Sequence, residues 1–586
     1  MNILGISLQH DAGAAIIGDG RIIAAINEER LNRQKLYWGW PELAIVEVIR
    51  QANLQPTDID VVTIANTTHS TNAPNWEGFY PKDFKRRALI RLSQMGFARL
   101  IGGTQAGIAA YRVINSKKVR FSESQIFKKM LRDQGIQCPI HNIDHHEAHL
   151  ASAYYTSDWD RCLNISLDGV GDGYCSRIAV CENGKMDIVH SIPFYHTPGQ
   201  YYGFVTGWAG FTPGKHEGKI TGLAAYGNAQ KAIGIFQSRI TYDERKFSFI
   251  NHGMWGSAEY EYICRKLEGQ DKADVAAAIQ QHIEDLITRY VAQAVEKTKQ
   301  TKIVLSGGLF ANVKLNQRVR DVEHVEDIYV HPNMGDGGLA VGAALAYYGA
   351  NTQARPYRLA NAYLGTEGTD AEIEAELNHQ GLPYTRHDNV EAIIAQRLAQ
   401  GLVVARVNGK MEYGPRALGN RSIIYQATDV TVNKWLNQRL KRTEFMPFAP
   451  AILKERATDY YIGYPTSEYA AEFMTLTYDV TKRCKDEAPA VVHVDNTARP
   501  QVVSEETNPS FHRILIEYEK LTGLPQLINT SFNMHEEPIV CTPTDAVRAF
   551  QQGHLDVLAI GAYIVDNPEA KPHKQAEQHK TTLQSL

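Results

Sequence analysis

The strongest constraint on this fold is a pattern that occurs twice. Near the start, Asn2-Ile-Leu-Gly-Ile-Ser-Leu8 has the apolar run of a buried strand, and His10-Asp11-Ala-Gly-Ala14 follows as a small-residue loop. Residues 15–23 give two further strand signals around Gly18-Asp19-Gly20, a hairpin turn. About 160 residues later Leu163-Asn-Ile-Ser-Leu167 reads as a strand, Asp168-Gly-Val-Gly-Asp-Gly173 as a loop and residues 177–180 as a strand. The shared Ile-Ser-Leu with its acidic, small-residue turn predicts a duplicated unit, two lobes whose turns face each other across a cleft. Two unrelated hairpins are the alternative.

The following segments alternate between helix and strand. Residues 274–300 carry Ile279, Ile283, Leu286, Tyr290 and Val291 at helical spacing. Strands are expected at 303–305 and 328–330 and a small-residue helix at 339–348, which is α/β alternation. The polar stretch 349–358 reads as a linker. A second α/β region follows, with a strand at 402–407. A chain of 586 residues exceeds one core. We therefore expect domains at 1–350 and 351–566, and a disordered tail at 567–586, which has almost no apolar residues.

Composition narrows the function. The net charge of -4 lacks the basic surplus of a nucleic-acid binder, so no nucleic-acid partner is expected. No apolar run is long enough to cross a bilayer, no secretory leader opens the sequence, and the cytoplasm is the expected compartment. Seven cysteines without a C-x-x-C read as reduced thiols.

Three groups of residues carry chemistry. In His141-Asn-Ile-Asp-His145-His146-Glu-Ala-His149, Asp144 and Glu147 have capping-box spacing. A helix starting at His145 would put His145 and His149 on one face, the spacing with which two imidazoles grip one ion. A capped helix with solvated histidines is the plain alternative. Asp336, between a strand end and a helix start, is the candidate third ligand. Phosphate candidates are the Asp168–Gly173 loop, Ser306-Gly307-Gly308 and Gly335-Asp-Gly-Gly338, where glycines let backbone N–H groups approach an anion. Gly214-Lys-His-Glu-Gly-Lys219 resembles a phosphate-binding loop but has three residues between its glycines where four are required. The second half carries Gly409-Lys-Met-Glu-Tyr-Gly-Pro-Arg416-Ala-Leu-Gly-Asn-Arg421-Ser422, Lys441-Arg442-Thr-Glu444-Phe-Met-Pro-Phe-Ala-Pro450, His493-Val-Asp-Asn-Thr-Ala-Arg499-Pro and Asn529-Thr-Ser531-Phe-Asn533. Arginine and lysine interleaved with serine, threonine and asparagine read as an anion site.

Taken together and in order, these strings resemble the carbamoyltransferase family of the nodulation-protein, cephamycin and tobramycin type, over residues 2–566. Met411–Ser422, Val494–Pro500 and Asn529–Asn533 are the most specific stretches. The resemblance implies a duplicated ribonuclease-H/actin-like ATPase domain of Kae type fused to a YrdC-like α/β domain. It implies an ATP-dependent O-carbamoyltransferase that makes carbamoyl-adenylate from carbamoyl phosphate and ATP at the second domain. The carbamoyl group then passes to a small-molecule hydroxyl at the first, with Fe(2+) or another divalent ion, Mg(2+) included. By the same resemblance His145, His149 and Asp336 hold the metal. His10 assists transfer, as a general base whose neutral imidazole suits the role. Asp168, Lys219, Gly307, Gly308 and Asn312 line a nucleotide pocket. Lys441, Arg442, Arg499, Ser531, Arg416 and Thr530 bind carbamoyl phosphate and ATP.

Family members usually read Lys-x-Arg-Glu-x-Phe-Arg-Pro-Phe-Ala-Pro where this chain is one residue shorter and has Met446, so the register of Lys441 is open. Glu536 stands where Gly is common, and Gln9 precedes His10. A tRNA threonylcarbamoyl-type transferase and a nucleotide-binding scaffold without transfer activity are the rival functions. The acceptor alcohol and the oligomeric state are left open.

Overall fold

The computed structural model describes residues 1–67, 101–117, 122–442 and 446–570. Part of the expected tail, 571–586, lies outside the described residues, as do Thr443 to Phe445 of the Lys441 motif. The chain divides into two compact units. The first comprises Met1–Glu28 and Leu36–Leu359, the second Glu29–Lys35 and Ala360–Leu586.

The first unit contains two five-stranded sheets built alike. In one, β1 (Asn2–Ser7), β2 (Gly13–Gly18), β3 (Arg21–Asn27), β4 (Val61–Ala65) and β5 (Ile140–Ile143) lie in the order β3-β2-β1-β4-β5. In the other, β6 (Cys162–Gly171), β7 (Tyr174–Glu182), β8 (Lys185–Pro193), β9 (Lys302–Ser306) and β10 (Asp327–Val330) lie in the order β10-β9-β6-β7-β8. The first three strands of each sheet pair antiparallel and the last two join in parallel. The expected duplication is therefore present strand for strand, and Ile6-Ser7 and Ile165-Ser166 fall in the equivalent central strands. This is the duplicated actin-like topology. Central strands are buried on both faces, hence their near-continuous apolar runs.

Two helices link the sheets. His145–Tyr155 packs on β6 and β9, and Leu339–Asn351 packs on β1 and β4. The two helices also pack on each other through small residues, with Ala148, Ala343, Leu339 and Ala65 in one apolar cluster. A Cβ on Gly342 would stand 1.9 Å from the Ala148 carbonyl oxygen, so only glycine permits this approach. The expected helix at 274–300 is Lys272–Thr298, capped by the Asp271 carboxylate. All five apolar residues singled out for it are buried.

One expectation needs correction. Asp168–Gly173 was read as a loop, but β6 continues through it with a bulge between Leu167 and Gly171. Only Asp172 and Gly173, both at positive φ, form the turn. The bulge lets two successive acidic positions serve different partners.

The second unit is built on an eight-stranded mixed sheet. Its strands are β11 (Thr385–Arg386), β12 (Val404–Val407), β13 (Arg421–Gln426), β14 (Ala449–Leu453), β15 (Gln501–Val503), β16 (Gln526–Ser531), β17 (Val557–Ile560) and β18 (Tyr563–Asp566), in the order β11-β18-β17-β12-β13-β16-β14-β15. Side chains alternate between two cores, as the strand period demands. Ala405, Ile423, Ile528 and Leu558 pack on one face with the helix Pro543–Gln552. Val404, Ile424, Leu527 and Val557 pack on the other with the helices Val390–Ala399 and Pro509–Thr522. No helix among the described residues is long and apolar enough to cross a membrane.

The helix crossing yields a paired prediction. Gly342→Ala should lower stability by about 1–3 kcal/mol through overpacking. Gly234→Ala, exposed and with nothing within 4 Å of the added Cβ, should be neutral or slightly stabilising. Thermal unfolding of the two variants beside the parent checks both.

Candidate functional site

Asp144 caps the helix His145–Tyr155, its carboxylate accepting the backbone N–H groups of His146 (3.0 Å) and Glu147 (3.2 Å). Arg177 grips the same carboxylate with two bonds, at 2.8 and 3.0 Å. The start of the helix is thereby fixed, and with it the direction of His145 and His149. Both rings are buried, not solvated. Their Nε2 atoms stand 3.1 Å apart and face Asp168 Oδ2 (2.9 and 3.6 Å) and Asp336 Oδ1 (3.6 and 3.4 Å). The four ligand atoms lie within 4.8 Å of one another.

This donor set fits a divalent ion. With metal–ligand bonds of about 2.1 Å, neighbouring ligand atoms stand about 3.0 Å apart at right angles and about 3.4 Å apart at tetrahedral angles. The observed 2.9 to 3.6 Å spans that range. Two imidazoles with two carboxylates suit a first-row ion such as iron(II), manganese or zinc.

Asp168 was expected in a nucleotide pocket. The structure gives its two oxygens two partners: Oδ2 faces the imidazoles, and Oδ1 accepts the Gly308 N–H at 3.1 Å. Gly307 has φ +100, and a Cβ there would meet the Leu167 carbonyl oxygen at 2.3 Å. The Gly307-Gly308 turn is thus moulded onto the Asp168 strand. Asn312 is occupied structurally. Its Oδ1 caps the helix Val313–Arg320 by accepting the Leu315 N–H, and its amide donates to Gln280. Lys219 is buried with its Nζ over the Phe211 ring, 5.5 Å from the centroid.

His10 lies in the loop after β1. Its Nε2–H donates to the Gly214 carbonyl at 2.9 Å, and its Nδ1 stands 3.4 Å from Asp11 Oδ2. Burial opposes the charged ring, but Asp11 and Asp336 outweigh burial and hold the pKa up at about 10. The neutral imidazole expected from sequence is therefore an imidazolium at neutral pH. Sequence reasoning missed Glu217, whose Oε1 accepts the Gly214 N–H at 2.6 Å and so holds the loop that holds His10.

In the second unit, the motif loops converge. Glu412 Oε1 accepts the N–H groups of Leu418, Asn420 and Arg421, wrapping the Arg416 loop around one carboxylate. Asn529 Nδ2 donates to the Ala417 carbonyl and to Gln501 Oε1, and Gln501 Nε2 donates to the Leu418 carbonyl. The Arg416, Arg499 and Ser531 loops are thereby tied together. Arg442 donates to Thr530 Oγ1, to the Ser531 and Asn533 carbonyls and to Asn533 Oδ1. Lys441, expected beside it, is exposed on a left-handed residue with φ +57. Arg421 spends its guanidinium on the carbonyls of Asn408, Gly409, Asn420 and Thr366, a scaffold role.

Arg416 and Arg499 differ from these. They are partly accessible by surface area yet densely surrounded by protein, as residues lining a recess are. Burial brings Arg416 down to about 10. Burial and then the like charge of Arg416 hold Arg499 well below the usual arginine range. Arg499 Nε is buried without a protein partner. Two neighbouring guanidinium groups lining a recess are suited to an anion.

The comparisons with known proteins establish the family. Residues 2–345 match the family model described as carbamoyltransferase N-terminus, and residues 395–567 match carbamoyltransferase C-terminus. The chain belongs to the carbamoyltransferase family and is an enzyme of that class. Nodulation protein NolNO of Sinorhizobium fredii is 29% identical over 97% of this chain and 80% of its own length. Nodulation protein U of Rhizobium tropici is 26% identical over 95% and 94%. An uncharacterized protein of Synechocystis is 29% identical over 98% of both chains. Among solved structures, component A of Acidaminococcus fermentans (R)-2-hydroxyglutaryl-CoA dehydratase covers 60% of this chain at 14% identity and a TM-score of 0.33, too distant a likeness to carry any argument.

A pH dependence follows from the cluster. Burial opposes a charged His145, but Asp336, Asp168 and Asp172 outweigh burial and hold its pKa up at about 9 in the metal-free protein. Because this folded value exceeds the unfolded 6.5, the interaction stabilises fully below about pH 6.5 and is lost as pH rises through 9. A metal ion must displace the Nε2 proton. Divalent-ion binding at pH 7 should release close to one proton and tighten about tenfold per pH unit until near pH 9. Calorimetry in buffers of different ionisation enthalpy measures the release, and buffer-independent heats would contradict it.

Proposed function

We propose that this carbamoyltransferase works in two steps, adenylation in the second unit and transfer in the first. The observation that carries the reading is the convergence of the Arg416, Arg499 and Ser531 loops, tied together through Asn529 and Gln501, which brings Arg416 near enough to Arg499 for their like charges to act on each other. Carbamoyl phosphate and the triphosphate of ATP are anions of the size and charge such a pair attracts, and Arg fits phosphate oxygens with paired donors. Carbamoyl phosphate, water and ATP give carbamoyl-adenylate, phosphate and pyrophosphate. The carbamoyl–phosphate bond is hydrolysed, and the resulting carbamate oxygen attacks the α-phosphorus as pyrophosphate leaves. Arg442, clamped by Thr530, Ser531 and Asn533, holds the third motif in position beside this site.

In the first unit an alcohol oxygen attacks the carbamoyl carbon and AMP leaves. Nitrogen donation makes a carbamoyl carbon a poor electrophile, so activation is needed at both ends. A divalent ion held by His145, His149, Asp168 and Asp336 would supply Lewis-acid polarisation of the carbamoyl oxygen, iron(II) being the ion the family resemblance favours. His10, held by Gly214 and Asp11 and favoured in its charged form in the metal-free protein, places positive charge beside the departing AMP, and the alcohol's proton passes to the AMP phosphate as it leaves. Burial of the His145 and His149 rings limits the water that can compete for the mixed anhydride. The acceptor is a small-molecule hydroxyl.

The test needs no acceptor. Purified protein with ATP, carbamoyl phosphate and ferrous ion should form pyrophosphate only when carbamoyl phosphate is present. Arg499→Ala should lower that rate by about 100-fold, as removal of one anion-stabilising donor does. ADP formed regardless of carbamoyl phosphate, or no pyrophosphate at all, would sink the adenylation step.

A further inference from the structure

The metal ligands are held by residues that no motif singled out. Asn66 follows β4 directly, and its backbone N–H donates to the Ile143 carbonyl at 2.7 Å. It is 1% exposed and sits at φ +84, a conformation few side chains other than asparagine tolerate. Its Oδ1 lies 2.6 Å from His145 Nδ1. The next residue, Thr67, donates its N–H to Asp172 Oδ2, which also accepts the His145 backbone N–H, each at 2.9 Å. The end of β4 is thus bonded directly to the ring of one metal ligand and, through Asp172, linked to its backbone.

We propose that Asn66 is a positioning residue of the metal centre: by accepting the Nδ1–H of His145 it fixes that ring as an Nε2 ligand and supports it with a neutral group. The inference rests on the reading of His145, His149, Asp168 and Asp336 as a metal site. An Nε2 lone pair requires the proton on Nδ1, and that proton requires an acceptor. The amide oxygen is the partner the structure supplies, while Asn66 Nδ2 has none among the described residues. With the amide reversed, its N–H would meet Nδ1 and force the ring proton onto Nε2, where it would block an ion.

The choice of asparagine has a chemical consequence. Metal-bound histidines are commonly supported by a carboxylate, which makes the imidazole more basic and the ion less electrophilic. Here the supporting group is neutral. Asp168 and Asp336 alone then balance a doubly charged ion, and the centre keeps its power to polarise a carbonyl. Asn66 therefore trades affinity for Lewis acidity.

Two substitutions separate this role from a merely structural one. Asn66→Gly removes the acceptor and suits the positive φ. Asn66→Asp keeps shape and acceptor but adds charge. The full chain is stripped of metal with a chelator and titrated anaerobically with cobalt(II), whose visible absorption reports the ligand field. Asn66→Gly should bind cobalt about 10- to 100-fold more weakly, with a shifted spectrum and little change in the circular dichroism of the metal-free protein. Asn66→Asp should bind at least about tenfold more tightly than the parent, and more slowly turn over carbamoyl-adenylate to AMP and an alkyl carbamate. Cobalt binding by Asn66→Gly within a factor of about 2 of the parent, or weaker binding by Asn66→Asp, overturns the proposal. His149→Ala distinguishes the two levels. If it abolishes binding while Asn66→Gly binds within a factor of about 2 of the parent, the metal site stands and Asn66 is excluded. If the parent binds no cobalt, the metal reading and this inference fall together.

Discussion

Two imidazole nitrogens 3.1 Å apart, facing two partly buried carboxylates, form a cluster in which opposite charges must compensate one another. Burial penalises each charge separately, and only mutual compensation makes the group tolerable. In the metal-free state a proton on His145 provides it, which is why Asp168 is held well below the carboxylate range despite its burial. A divalent ion satisfies all four atoms at once. The support around them is correspondingly rigid: Asp144 caps the helix, Arg177 grips Asp144, and Asp172 binds the His145 backbone. His146, on the same turn, is neutral and structural, bonded to Ser166 and the Tyr174 carbonyl.

The second unit presents the opposite sign of the same problem. Three arginines of its motifs have similar sequence surroundings but different fates. Arg421 is satisfied by four carbonyl oxygens, and Arg442 by the Asn529–Asn533 loop. Arg499 Nε has no partner among the described residues, and the like charge of Arg416 acts on the group. The distinction between a scaffold arginine and a binding arginine is therefore one of hydrogen-bond satisfaction, and it is visible only in three dimensions.

How much of this was legible in sequence depends on the range of the interaction. The duplicated strand pattern is local, and it predicted the sheets correctly. The pairing of His145 with His149 is also local, since four residues make one helical turn and Asp144 marks where the helix starts. Asp168 was legible as functional but its place was not. The bulge after Leu167, which a glycine-rich string does not distinguish from a loop, sets where its carboxylate stands. Lys441 and Arg442 were both expected to bind carbamoyl phosphate and ATP, but Lys441, itself left-handed, is exposed while Arg442 is bonded into the Asn529–Asn533 loop. Asn66 gave no signal at all, because an asparagine after a strand reads as ordinary turn chemistry and its partner lies 79 residues away. Glu217 was hidden in the same way, inside a string noticed only for its glycines and lysine.

The duplication also explains the asymmetry of the centre. β1 corresponds to β6, β4 to β9 and β5 to β10, so the loops after these strands occupy equivalent places in the two lobes. After β1 stands His10, and at the end of β6 stands Asp168. After β4 stands Asn66, and after β9 the Gly307-Gly308 turn. After β5 comes the helix with His145 and His149, and after β10 comes Asp336 leading into the helix Leu339–Asn351. Each equivalent pair has diverged into complementary chemistry: cation and anion, side-chain acceptor and backbone donor, imidazoles and carboxylate. The pairing of unlike groups is what the geometry demands, because a two-fold arrangement of identical charges at these distances would repel. Gly342 against Ala148 brings the two equivalent helices close enough for His145 and His149 to face Asp168 and Asp336.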